Sequence, residues 1–183
     1  MNDRIISAID QLLEEKAQVL IAIDGPCTAG KTTLAQQLKE HYHCNVIHMD
    51  EFFLQPHQRT RERLSAPGGN VDYERFYEDV LQPLQAGNPF SYRPYSCKIQ
   101  ALVDPVEVPG NRLTVVEGTY STHPYFRSPY DLTVFLTVDP QVQLQRVDMR
   151  EAWKHEMFRK VWIPMEQTYF DTFEIEKSCD LVV

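Results

Sequence analysis

Residues 25–32 read Gly-Pro-Cys-Thr-Ala-Gly-Lys-Thr, a match to GxxxxGK[ST], and this constrains the fold more than any other feature of the chain. Four fixed positions match by chance in a chain of this length roughly 1% of the time. The flanks add weight: residues 19–24 are a short apolar run, as in a buried strand, and Lys31 to about Tyr42 reads as a helix. The strand, loop, helix order makes the segment an anion cradle. Gly25 and Gly30 let the backbone wrap tightly, and along the loop of Pro26, which has no N–H of its own, Cys27, Thr28, Ala29 and Thr33, successive N–H groups join the positive helix end in holding phosphates. Lys31 reaches the β and γ phosphates, and the Thr32 hydroxyl ligates Mg²⁺. ATP is the expected nucleotide, because the nearest approach to an NKxD guanine reader, Lys177-Ser178-Cys179-Asp180, lacks the asparagine and has the wrong spacing.

Residues 45–49, 113–117, 132–138 and 181–183 are further strand candidates, with helical stretches between several of them. This alternation predicts a three-layer α/β fold, a parallel sheet with helices on both faces. Ile5, Ile6, Ile9, Leu12 and Leu13 recur at helical spacing behind the candidate caps Asn2 and Asp3. Residues 54–112 are too long for an ordinary connection and rich in proline, which marks a pocket-building insertion. Within it 72–85 looks helical, and 90–103 could form a hairpin at the rim.

At 183 residues and 43% hydrophobic, the chain has the size of one domain, 1–183. A net charge of −8 argues against the broad basic footprint of a nucleic-acid binder. No apolar run approaches the roughly 18 residues a membrane span needs, and nothing marks export. Cys27, Cys44, Cys97 and Cys179 show no CxxC pairing, which fits reduced thiols in a cytoplasm. His41, His43 and Cys44 cluster where a helix should end, a poor geometry for a metal.

Carboxylates stand where two strands end. Asp50 and Glu51 follow one and Glu117-Gly118 closes another, at the carboxyl edge where open α/β sheets bind ligands. Acids at strand ends also serve as turn or cap residues. Beside the cradle, Asp50 fits the base that accepts a proton from an acceptor hydroxyl, with Glu117 orienting hydrated Mg²⁺. Asp139-Pro140 opens another helix, expected to carry Arg146, Arg150 and Lys154 on one face of a lid over residues 146–162. Lys31, Arg146 and Arg150 thus join Asp50 as the expected catalytic set. Arg59, Arg61 and Arg63 read as a solvated run, and Trp153, Phe158 and Trp162 as packing groups that anchor the lid.

With these residues in place, the chain resembles the uridine kinase family of P-loop kinases, which includes phosphoribulokinase, bacterial pantothenate kinase and nicotinamide riboside kinase. GPCTAGKTT is similar to that family's phosphate loop, and MDEFF to the segment holding its base and a nucleoside-contacting aromatic. GGNVDYERF, RPYS, VVEGTY and VDPQVQLQRVDMRE resemble the segments of its ribose-binding aspartate, hairpin tyrosine, Mg-side glutamate and lid arginines. The resemblance implies substrate contacts at Phe53, Asp72 and Tyr95, Mg²⁺ held by Thr32, Glu117 and Asp50, and sheet order 2-3-1-4-5. Where uridine kinases carry an aromatic residue and a histidine after the hairpin tyrosine, this chain has Cys97 and Gln100. Its FRKVWIP and DEFF stretches are similar to nicotinamide riboside kinases instead. The expected reaction is phosphorylation of a primary hydroxyl on a uridine- or cytidine-like nucleoside or related ribosyl metabolite. Nicotinamide riboside or pantothenate, and a regulatory P-loop ATPase without an acceptor, remain alternatives. A homo-oligomer is left open.

Overall fold

The computed structural model describes residues 2–149 and 152–183. Helix α1 (Asp3–Glu15) starts on Asn2, whose side chain accepts the Arg4 N–H at 3.0 Å. Strand β1 (Val19–Asp24) leads through the loop into α2 (Lys31–Tyr42), and β2 (Asn45–His48) follows. A 3₁₀ turn, Met49–Phe52, ends β2 one residue earlier than expected and turns Asp50 off the sheet edge.

The insertion contains α3 (Arg61–Ser65), α4 (Tyr73–Phe76) and α5 (Gln82–Ala86). Between α4 and α5 the predicted single helix widens into a π turn, Tyr77–Leu81. Pro83 explains it: proline has no N–H to give the preceding turn, and its ring crowds the carbonyl four residues back. The expected hairpin is longer than the sequence suggested. Strands β3 (Phe90–Tyr92) and β6 (Val106–Val108) pair antiparallel outside β4 (Tyr95–Ser96) and β5 (Ala101–Leu102).

The chain returns to the sheet in β7 (Leu113–Glu117) and β8 (Leu132–Phe135), then runs through α6 (Pro140–Asp148), α7 (Ala152–Met157), α8 (Ile163–Phe173), α9 (Ile175–Ser178) and β9 (Leu181–Val182). A second π turn, Phe158–Trp162, precedes Pro164 at the offset seen before Pro83. All pairings within the five-stranded sheet are parallel, in the order β2-β7-β1-β8-β9. This is 2-3-1-4-5 for the five strands in chain order, as the resemblance implied.

Alternating side chains divide the core between the two faces. Ile21, Ile23 and Val115 pack with Ile5 and Ile9 of α1 and Leu34 and Leu38 of α2. Ile47 and Val116 face the other way, onto Phe76, Val80, Tyr169 and Phe170. Each such side chain contributes about 1.5–3 kcal/mol by leaving water, and together they hold the carboxyl edge rigidly. Among the described residues, no helix is long and apolar enough to cross a membrane.

Candidate active site

The loop between β1 and α2 has the shape its sequence requires. Gly25 has φ +134°, and a Cβ there would come 2.3 Å from the Leu136 carbonyl oxygen, so no other residue fits. Lys31 folds back over the loop: Nζ donates to the Gly25 and Pro26 carbonyls at 2.7 and 2.8 Å and to Thr119 Oγ1 at 3.2 Å. The ammonium is thereby fixed inside the ring where phosphate oxygens would sit.

Asp24, one residue earlier, is fully buried. Its carboxylate accepts from Gly25 N, Tyr120 N, Thr122 N, Thr122 Oγ1 and Tyr169 Oη, at 2.7 to 3.2 Å. Burial raises its pKa, and the Thr122 hydrogen bonds oppose that rise. It ties the loop to the segment after β7 and to α8.

Thr32 Oγ1 lies 3.1 Å from Glu117 Oε1, and His48 Nδ1 lies 2.6 Å from the same oxygen. The parallel register of β2 against β7 sets His48 beside Glu117. That hydrogen bond is the main reason the His48 pKa is raised. Asp50 follows on the 3₁₀ turn, its side chain still in contact with solvent. Loss of surrounding water, and next the charge of Glu117, raise its pKa. Thr32 and Glu117 supply hard oxygen donors at the phosphate end of the loop, which suits Mg²⁺, an ion that takes one or two protein ligands and fills its shell with water and phosphate.

Phe53 and Asp72 come together because residues 52–54 run antiparallel to 70–72: Phe53 bridges Val71, and Asp72 N donates to the Phe52 carbonyl at 2.7 Å. Asp72 caps α4 through the Arg75 N–H at 3.1 Å, and its other oxygen accepts from Gln58 Nε2 at 2.8 Å. The Tyr95 ring is buried on β4, which packs against the Met49–Phe52 turn. Cys97 and Gln100 both lie in the exposed β4–β5 turn.

Two of the three arginines expected to be solvated are engaged. Arg63 forms a two-pronged pair with Glu74, both contacts 2.7 Å, and donates to the Gly69 and Val71 carbonyls. Arg59 donates from Nε to the Leu54 carbonyl at 3.0 Å and from Nη2 to Tyr95 Oη at 2.8 Å. Among the described residues it has no carboxylate partner. Through Tyr95 the guanidinium is tied to β4, the strand that packs against the Met49–Phe52 turn carrying Asp50. The sequence offered only a basic run, with nothing to single out this residue.

The segment expected to form a lid has its described residues on more than one helix. Helix α6 ends at Asp148 and α7 begins at Ala152, so Arg146 and Lys154 lie on separate segments. Arg159 reaches back to both oxygens of Asp148 at 2.7 Å. Arg146 Nη1 donates to the Thr28 carbonyl at 2.8 Å, on the loop itself. Arg150 lies outside the described residues, as does the side chain of Trp153. Phe158 is buried and meets Trp162 edge-on at 4.5 Å, as a packing pair should.

No protein-family model matches the chain. Solved structures do share its fold. One, from Bacillus stearothermophilus and provisionally named a uridine kinase, aligns with a TM-score of 0.64 at 21% identity, over 98% of each chain. Another, from Silicibacter sp. TM1040 and provisionally named a fructose transport system kinase, aligns at 0.70 and 19% identity, over 98% of this chain and 97% of its own. At these identities the likeness is one of fold, so function is argued from the site.

Proposed function

We propose that this chain is a cytoplasmic kinase that transfers the γ-phosphoryl group of ATP to a hydroxyl of a small metabolite. One observation carries the reading: a loop with Lys31 fixed inside it lies beside the Thr32–Glu117 pair, with Asp50 on the adjoining turn. A nucleotide switch needs the loop and the metal pair. It has no use for a separate carboxylate on a turn against which a long insertion packs.

In this reading the loop amides and Lys31 hold the β and γ phosphates, and Phe53, Asp72 and Tyr95 position the acceptor. The acceptor oxygen forms a bond to the γ phosphorus as the bond from phosphorus to the β–γ bridging oxygen breaks. The proton passes to Asp50, whose raised pKa brings it nearer the range useful to a general base. ADP carries the leaving charge, with Lys31 and the lid arginines Arg146 and Arg150 compensating it. Mg²⁺, held by Thr32 and Glu117 with Asp50 close by, supplies further neutralisation across the phosphates when bound. No contact with nucleic acid or membrane is part of the reading.

The leading acceptor is a primary hydroxyl of a uridine- or cytidine-like nucleoside or related ribosyl metabolite, following the resemblance of MDEFF, GGNVDYERF and RPYS. Arg59 favours a second reading. A guanidinium held by a carbonyl and a phenol, with no carboxylate partner among the described residues, suits an acceptor that carries its own carboxylate or phosphate. Pantothenate is such a hydroxy acid; nicotinamide riboside, a cation, is not.

The test is acceptor-dependent ADP release with Mg-ATP across nucleosides, nicotinamide riboside, pantothenate and simple sugars, with Asp50→Asn as control. Stimulation by one acceptor, lost in the variant, supports the reading. ADP release that no acceptor raises above background favours a regulatory ATPase.

A further inference from the structure

Thr28 sits at φ +63°, in the left-handed region that a β-branched residue avoids. Such strain persists only where surrounding structure over-determines it. Three consecutive peptide planes around Thr28 are each gripped by a side chain from a distant helix. Glu166 Oε2 on α8 accepts the Cys27 N–H at 2.9 Å, so this amide, expected to face phosphate, is instead engaged by the carboxylate, and the Pro26–Cys27 plane is held. Gln143 Nε2 on α6 donates to the Cys27 carbonyl at 3.2 Å and holds the next plane. Arg146 Nη1 holds the third through the Thr28 carbonyl.

Glu166 and Gln143 are both buried, 7% and 8% exposed. They line a cleft of about 350 Å³ together with Pro26, Pro140 and Phe170, and Lys31 does not face that cleft. The second Glu166 oxygen lies 3.5 Å from Thr119 Oγ1, to which Lys31 Nζ donates at 3.2 Å. Neither Glu166 nor Gln143 was singled out in the sequence.

We infer that Glu166 is a positioning residue, which with Gln143 holds the phosphate loop in its anion-binding shape against the strain at Thr28. The inference rests on the nucleotide-binding part of the reading above and is independent of any acceptor. Without these grips, rotation of the Cys27–Thr28 peptide relieves Thr28 and turns amides of the cradle away from the anion. A buried carboxylate this close to phosphates also repels them, and the two effects predict opposite outcomes on substitution. Glu166→Gln keeps a hydrogen-bond acceptor and removes the charge; Glu166→Ala removes both.

The experiment measures ATP and ADP affinity by calorimetry, with the melting temperature of the free protein as a folding control. Glu166→Gln should bind ATP at least as tightly as the unsubstituted chain. Glu166→Ala should bind about tenfold more weakly, the scale of one lost buried hydrogen bond. Adding Thr28→Gly should restore affinity in the Ala background, because glycine carries no strain at φ +63° and has no need of the grip. Equal affinities for the Gln and Ala variants, or a double variant as weak as Glu166→Ala alone, overturn the inference. Should Glu166→Ala fail to fold, Gln143→Met tests the neighbouring plane with the same Thr28→Gly rescue: affinity restored by the glycine supports the inference, and affinity left low overturns it. An unsubstituted chain that binds neither nucleotide overturns the reading of the loop itself, and the inference with it.

Discussion

The Thr32 hydroxyl on the first turn of α2 meets Glu117 Oε1 at 3.1 Å, although the two residues are 85 positions apart. The contact exists because β1 and β7 are parallel neighbours, so their carboxyl ends open onto the same edge. Glu117→Gln should raise the Mg²⁺ concentration needed for half-maximal turnover about 10- to 100-fold, the usual effect of altering a residue that holds or orients a metal. Magnesium titration of ATP turnover reads this directly. An unchanged titration removes Glu117 from the metal site.

Asp50→Asn should lower acceptor-dependent turnover by about 10²- to 10⁴-fold, the range for loss of a general base. ATP affinity should stay near its original value, since the loop and Lys31 are untouched. Single-turnover kinetics beside equilibrium binding separates the two effects.

Arg59 should discriminate acceptors by charge. Arg59→Ala is expected to raise KM about tenfold or more for an acceptor bearing a carboxylate or phosphate, the order of a lost charge-assisted hydrogen bond. KM for ATP should not follow. A uniform change across neutral and acidic acceptors would argue that Arg59 only braces Tyr95.

His123 makes stability depend on pH. Its ring is buried, stacked on Tyr73 at 4.4 Å and facing Tyr169 at 5.8 Å. Burial lowers its pKa from 6.5 to about 4; the nearby Pro67 backbone opposes this and the charge of Arg63 adds to it. The unfolded chain thus binds this proton first. The stability linked to neutral His123 is complete above pH 6.5 and is lost as pH falls through the window down to about 4, on the order of 3 kcal/mol in all. Urea midpoints should fall less steeply from pH 7 through 5.5 to 4.5 for His123→Phe, which has no proton to take up.

The thiols should differ sharply in reactivity. Burial, then Glu166, push the Cys27 thiol up to about 12, so it stays protonated at neutral pH despite its place in the loop. Cys97 is the exposed cysteine. Alkylation of the native protein at pH 8, followed by mass spectrometry, should mark Cys97 well before Cys27. Early labelling of Cys27 would contradict a buried, protonated thiol at that position.

Much of the fold was legible because its signals are local. The GxxxxGK[ST] spacing, the apolar run before it and the Asp139-Pro140 cap each act within a few residues, and each element appeared at its expected place. The π turns at Tyr77–Leu81 and Phe158–Trp162 were not anticipated, although Pro83 and Pro164 were visible. A proline removes one hydrogen bond, and the packing around it decides whether the helix breaks, bends or widens.

The sequence by itself determined where the cradle lies, that its strand must be buried, and which acids could stand at the sheet edge, since periodicity and backbone chemistry are properties of short segments. Tertiary structure alone decided which side chains serve the cradle from elsewhere. Glu166 reaches Cys27 across 139 positions and Gln143 across 116, and Arg59 reaches the Tyr95 hydroxyl across 36. Hydrogen bonds of that kind depend on how helices pack over the sheet, and residue spacing along the chain carries no record of it.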